Sequence, residues 1–354
     1  LYRGLVSSGR WFALSSGAAV AAVVYALLTH LEGTVASPYL APACLIVFAI
    51  PLYALTDIQD GIGRARGWMA VGLMPPYVLR PLVLLAVMTG AHAAGLPMTA
   101  MAAATAAILA CLVAVLLQSW LVRERVREEV GEGPRSYRLG FWIRGSLPLL
   151  AMLVAELVMQ NADVLAVSAH MSPVEVGMYF AAAKTMALVM FIHYAVGSAA
   201  GKRFATLNAR SNSDELGKFV RQAVRWTFWP SLVAAVVILA LGRPMLWLFS
   251  PSYVEAYPLM FILAIGYLFR AAMGPAEFLL NALGEQRACA KVVGFAAMGN
   301  IGLCLTLVPL FGLYGAAMST AVSLALSATL NGIVARRRLG QDVTILGTLR
   351  RRGA

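Results

Sequence analysis

The run MTAMAAATAAILACLVAVLLQSWLV, residues 98–122, is followed at once by Arg123-Glu-Arg-Val-Arg127. A bilayer core is crossed by about 20 residues of apolar helix, each rising about 1.5 Å, and it tolerates no unpaired backbone. Residues 98–122 carry no formal charge and are long enough to cross. They stop on the kind of basic cluster that marks the cytoplasmic end of a membrane helix. This stretch therefore reads as a transmembrane helix, and the rest of the chain can be tested against it.

Working outward, comparable segments recur at 11–31, 39–57, 68–92, 145–168, 174–200, 226–249, 256–281, 291–310 and 313–335, making about ten in all. The segment at 68–92 is interrupted by Pro75, Pro76 and Pro81, so its helix is expected to begin nearer Tyr77. Across 354 residues, 60% are apolar and 12% charged; a soluble domain has about 25% charged. One aqueous core could not bury such a chain, which excludes a soluble enzyme and a disordered protein. The expected fold class is an all-α polytopic membrane protein.

The excess of 28 Lys and Arg over 16 Asp and Glu does not point to nucleic acid, because the basic residues are not gathered on one soluble face. They alternate instead. Arg3 and Arg10, Arg64 and Arg66, Arg123–Arg144, Lys202–Arg225, Arg287 with Lys291, and Arg336–Arg338 with Arg350–Arg352 fall at one set of helix ends. The opposite loops, His30–Ser37, Ala91–Pro97, Ala169–Pro173, Ser250–Glu255 and Phe311–Gly312, contain no Lys or Arg. By the positive-inside rule both ends of the chain are expected on the cytoplasmic side. Cys44, Cys111, Cys289 and Cys304 lack paired spacing and imply neither a disulfide framework nor a metal site.

The polar stretch 123–144, with its Gly133-Pro134 break, divides the expected helices. The organisation read from it is a four-helix bundle over 1–122, a cytoplasmic linker over 123–144, a six-helix bundle over 145–335 and a basic tail over 336–354. A faint internal echo joins the halves: Gly95-Leu96 with Ala100-Met101 against Gly312-Leu313 with Ala317-Met318, and Ile62-Gly63 with Arg66 against Leu283-Gly284 with Arg287. Transporters are often built from such repeats. On that reading the first bundle is about two helices short of the second. The chain opens on Leu1 with no small-residue cleavage site, so the start is expected to be an internal point rather than a cleaved signal.

Ordered motifs at the helix ends carry a resemblance. They are Asn161-Ala-Asp163-Val-Leu165, Val174-Glu-Val-Gly-Met-Tyr-Phe-Ala-Ala-Ala-Lys184, Phe249-Ser-Pro-Ser-Tyr253-Val-Glu-Ala256, Leu280-Asn-Ala-Leu-Gly-Glu-Gln-Arg287 and Val308-Pro-Leu-Phe-Gly-Leu-Tyr-Gly-Ala-Ala317. More weakly, Gly61-Ile-Gly-Arg64 and Leu79-Arg-Pro81 join them. Over most of 145–335 the sequence resembles the polysaccharide-biosynthesis, O-antigen flippase-like family of the multidrug/oligosaccharidyl-lipid/polysaccharide (MOP) superfamily. The resemblance implies two helical bundles around a central cavity. It further implies movement of a polyprenyl-pyrophosphate-linked oligosaccharide across a bacterial inner membrane by alternating access, for surface polysaccharide assembly. Expected partners are that lipid-linked substrate, membrane lipids, a proton or sodium ion, and the polysaccharide assembly machinery. No cofactor, metal or covalent catalysis is implied.

Ionisable groups inside membrane helices are expensive and are functional candidates by default. Arg270, midway along its helix with no formal charge within six residues, is the first cavity cation, and its planar fork suits phosphate oxygens. The alternative is an internal bridge to Glu277 or Glu156. Lys184 and Arg80 are further cation candidates, Arg80 also reading as a headgroup-seeking side chain. Asp163 and Lys184, on consecutive helices, are expected to form an ion pair. Glu156, Asp163 and Glu277 are candidates for coupling or gating, and Asn161 for a hydrogen bond across helices. His193 reads as a packing residue, and Gly274-Pro275, one turn beyond Arg270, as a hinge. The competing readings are a drug or cation antiporter of the same superfamily, a polyprenyl-sugar transferase or polymerase, and a non-transporting scaffold. The short outer loops and scattered acids argue against the enzyme.

Overall fold

Proline, glycine and chain polarity account for most helix boundaries in the computed structural model, which describes residues 2–32, 40–129, 137–209 and 213–350. The Gly133-Pro134 break, most of the His30–Ser37 loop, and Arg351 and Arg352 lie outside the described residues. Two compact units, Leu1–Arg144 and Gly145–Ala354, make up the chain.

In the first unit α1 spans Tyr2–Glu32, and α2 (Leu40–Ile46) passes through a tight turn into α3 (Ile50–Arg66). Gly67, at φ 77°, caps α3 in the left-handed conformation, which glycine adopts without steric cost. The chain then doubles back through α4 (Met69–Met74), a π-helical turn at Pro75–Leu79, and α5 (Arg80–Ala93). The helix does not wait for Tyr77, as the prolines had led us to expect. Pro75 and Pro76 bring no N–H, and Pro81 cannot donate to Tyr77, so the turn widens rather than breaks. Glycine sets the hairpin spacing: a Cβ on Gly63 would lie 2.8 Å from the Gly72 Cα. Finally α6 covers Ala100–Glu129, so the charged residues 123–129 extend the membrane helix instead of starting a loop. The Trp68 indole N–H donates to the Glu129 carboxylate at 2.9 Å and fixes that extension to α4.

In the second unit the helices are α7 (Leu139–His170), α8 (Pro173–Ala187), α9 (Met190–Ala209), α10 (Ser213–Ala240), α11 (Gly242–Phe249), α12 (Tyr257–Ala272), α13 (Ala276–Ala282), α14 (Gln286–Leu339) and α15 (Ile345–Arg350). Ser172-Pro-Val-Glu175 starts α8 with a reciprocal capping box. Gly312, at φ 57° and ψ −132°, divides the 54-residue α14 into two helices, a conformation that a side chain would strain.

Eight runs among the described residues are long and apolar enough to cross a bilayer; α7 adds a further 32-residue helix. With α14 divided at Gly312, each of the ten predicted segments has a helical counterpart. The interior is unlike that of a water-soluble protein. Ser319, Ser323, Ser327 and Asn331 are all buried along one face of α14, and Gly266 lets α12 approach until a Cβ there would sit 2.6 Å from the Ala321 Cα. Buried Asn300 donates to the Met159 carbonyl at 3.2 Å and accepts from the Ser323 hydroxyl at 3.1 Å. Meanwhile Leu248, Leu310 and Trp11 are 78%, 73% and 72% exposed. Small and polar residues inside with large apolar ones outside is the arrangement lipid favours. The chain is a multi-pass, all-helical membrane protein.

Candidate functional site

Within the second unit, α7, α8, α9, α12, α13 and α14 enclose a cavity of about 560 Å³. Five acidic or basic side chains line it: Glu156, Asp163, Lys184, Arg270 and Glu277.

Glu156 and Asp163 lie seven residues apart on α7, two turns along one face. Asp163 is buried at 4% exposure. The Tyr179 hydroxyl donates to its Oδ2 at 2.6 Å and the Thr320 hydroxyl at 2.7 Å, while the Val164 N–H reaches Oδ1 at 2.8 Å. Glu156 accepts from the Tyr194 hydroxyl at 2.8 Å. Among the described residues neither carboxylate forms an ion pair.

The expected Asp163–Lys184 pair is absent. Lys184 follows Tyr179 by five residues, which turns it about 140° around α8 from the tyrosine that reaches Asp163. Its ammonium lies 5.3 Å from the centre of the Phe180 ring, and the side chain is exposed toward the cavity.

Arg270 has found the bridge that was its alternative reading. Its Nη2 donates to both Glu277 oxygens at 2.8 Å, and the two side chains are 12% and 18% exposed. His193 Nε2 stands 3.2 Å from Glu277 Oε1. Largely desolvated charges persist when they are paired and hydrogen-bonded. The pair spans a bend: α12 ends at Ala272, Gly274 takes φ 61°, and Pro275 makes a tight turn in which the Ala276 N–H reaches the Gly274 carbonyl at 2.9 Å. Gly274 is required twice over, since a Cβ there would lie 2.6 Å from Val224 Cγ2.

Two candidates lie off the cavity. The Asn161 amide donates to Leu157 O of its own helix at 2.9 Å, so the expected bond across helices is not made; at that helix position the preceding turn offers the nearer acceptor. Arg80 belongs to the first unit, its guanidinium 4.5 Å from the centre of the Tyr53 ring. The residues that sequence reasoning missed are the hydroxyl donors. Tyr179 lies in one of the helix-end motifs without a role of its own, Tyr194 sits beside His193 in an apolar run, and Thr320 carries no signal in the sequence.

Residues 148–306, a little under half of the chain, match the family model described as MatE. A multidrug resistance MATE family transporter of the MOP superfamily in its inward-facing conformation aligns with a TM-score of 0.76 at 14% identity, over 95% of this chain and 81% of that one. The chain has the fold of these transporters, and the MatE match falls on its second unit. The outward-facing structure of a multidrug resistance MATE transporter aligns at TM-score 0.64 and 16% identity, covering 95% and 78%. A MOP superfamily transporter from Pyrococcus furiosus, described as having a binding pocket of reverse polarity that suggests a different function, aligns at 0.64 and 15% over the same shares. No curated protein matches the sequence. The MatE match contains α8 to α13 entire, with Glu156, Asp163, Lys184, Arg270 and Glu277.

Proposed function

We propose that the chain is a MATE-type transporter of a bacterial inner membrane, with both ends on the cytoplasmic side, that exchanges an organic cation for a proton or sodium ion. The reading rests on how the charges of the second-unit cavity are satisfied. Glu277 consumes Arg270, the cation best shaped for a phosphate. Glu156 and Asp163 are held by hydroxyls and have no ion-pair partner among the described residues, with Lys184 the cavity cation that Glu277 leaves over. An acid-rich, apolar-walled cavity concentrates cations. A carboxylate without a fixed countercharge leaves room for a proton, a sodium ion or an ammonium group. One charge moving through about 100 mV yields about 2.3 kcal/mol, enough to drive exchange.

The flippase reading keeps one supporting observation besides its motifs: Lys184 is exposed to the cavity without a carboxylate partner, as a group waiting for pyrophosphate would be. Vesicles carrying the purified chain separate the two. Uptake of a fluorescent organic cation driven by an imposed pH gradient, abolished in Asp163→Asn protein that still elutes as a folded species, is the expected result. Movement of a polyprenyl-pyrophosphate sugar between leaflets with no cation-linked proton flux would instead establish the lipid-linked oligosaccharide as cargo.

A further inference from the structure

The first unit has a pocket of its own, about 640 Å³ between α1, α3 and α6. Its walls carry Arg3, Arg10, Arg123 and Arg127 and no carboxylate. Like charges gathered without a counterion repel one another, so an arrangement of this kind gains from an anion that completes it. Among the described residues Arg3, Arg123 and Arg127 pair with no acid. Arg10 bonds only neutral acceptors, Gln59 Oε1 at 3.5 Å and Ser119 O at 3.3 Å. Its Nε is buried without any partner, although a buried donor normally has one.

The position of the pocket says what the anion is. It lies at the start of α1 and the end of α6, the end to which the positive-inside rule assigns the cytoplasm. Trp11, 72% exposed, stands on its rim, and exposed tryptophans gather at the headgroup level of a bilayer. Basic pockets between membrane helices at that level accept anionic headgroups. Arginine forks match phosphate oxygens in pairs.

We propose that this pocket is a binding site for a phosphate-bearing headgroup of an anionic membrane lipid, held by Arg3, Arg10, Arg123 and Arg127. The proposal rests on first-unit residues and does not depend on what the second-unit cavity carries. The test compares the purified chain with an Arg123→Gln/Arg127→Gln double variant, whose exposed side chains have no ion pair to lose. Native mass spectrometry and nanodisc titration would use phosphatidylglycerol, phosphatidylcholine and soluble pyrophosphate as probes. Phosphatidylglycerol should be retained in preference to phosphatidylcholine, and its binding should weaken roughly 20- to 30-fold in the double variant, a factor of about 5 for each charge near the surface. Arg336→Gln/Arg337→Gln protein should bind as the wild type does. Pyrophosphate binding that falls with the double variant, without lipid binding, would keep the site and assign it to a soluble phosphate. Equal retention of both lipids, or retention unaffected by Arg123 and Arg127 with pyrophosphate likewise unaffected, would overturn the proposal.

Discussion

At the scale of single residues, the cavity is governed by which donor reaches which carboxylate. Removing the Glu277 carboxylate leaves the Arg270 guanidinium buried and unpaired, and such losses cost about 3–5 kcal/mol. Glu277→Ala should therefore lower the unfolding midpoint in detergent sharply, while an Arg270→Met/Glu277→Leu double variant should recover most of the loss. A thermal or denaturant series of the two singles and the double measures this coupling directly. Thr320→Val removes one of two hydroxyls from Asp163 Oδ2 and should cost about 1.5–3 kcal/mol, the range for a hydrogen bond to a charged acceptor. Tyr179→Phe should cost a similar amount; equal stability of both variants with the wild type would mean that Asp163 does not rely on these donors. The ionisable members of the site were legible in the sequence, because a charge inside an apolar run stands out. Their partners were not: a tyrosine or threonine in a membrane helix is unremarkable until the fold brings it to a carboxylate, and Tyr179 and Thr320 are 141 residues apart.

At the scale of elements, hydropathy and the alternation of basic loops located the helices, since only helices satisfy their own backbone in lipid. What they did not reveal was how glycine and proline reshape a helix without ending it. The Pro75–Leu79 turn stays helical by widening, the charged residues 123–129 continue α6, and Gly312 divides α14 with hardly a loop. At Gly274 the left-handed conformation and the approach of Val224 act together. Gly274→Ala should cost at least about 1–3 kcal/mol of stability. Pro275→Ala, at φ −82°, strains nothing and should be close to neutral in stability. If Gly274-Pro275 is a hinge for transport, as we propose, Pro275→Ala will nonetheless change the transport rate and the accessibility of the cavity from the two sides. An unchanged rate with unchanged accessibility would remove the hinge.

For the whole molecule, the prediction concerns placement in the membrane. Single cysteines introduced into a chain cleared of its four natural ones should react with an impermeant maleimide from outside at Gly95 and Ser252. At Arg125 and Arg337 they should react only after the membrane is opened. Labelling in the reverse sense would invert the orientation on which the lipid site rests.

The clasp between Arg270 and Glu277 has a consequence for selectivity. Its two halves are tethered seven residues apart in one chain, so the carboxylate is always at hand, at a local concentration that a dissolved ligand rarely matches. An anion that would take Arg270 must evict a resident that never diffuses away; at Lys184 it meets no such rival. A cation meets the tethered Arg270 only at Glu277; Glu156 and Asp163 are held by hydroxyls. On the proposed reading, part of the selectivity is written into chain connectivity and precedes any cargo-specific contact.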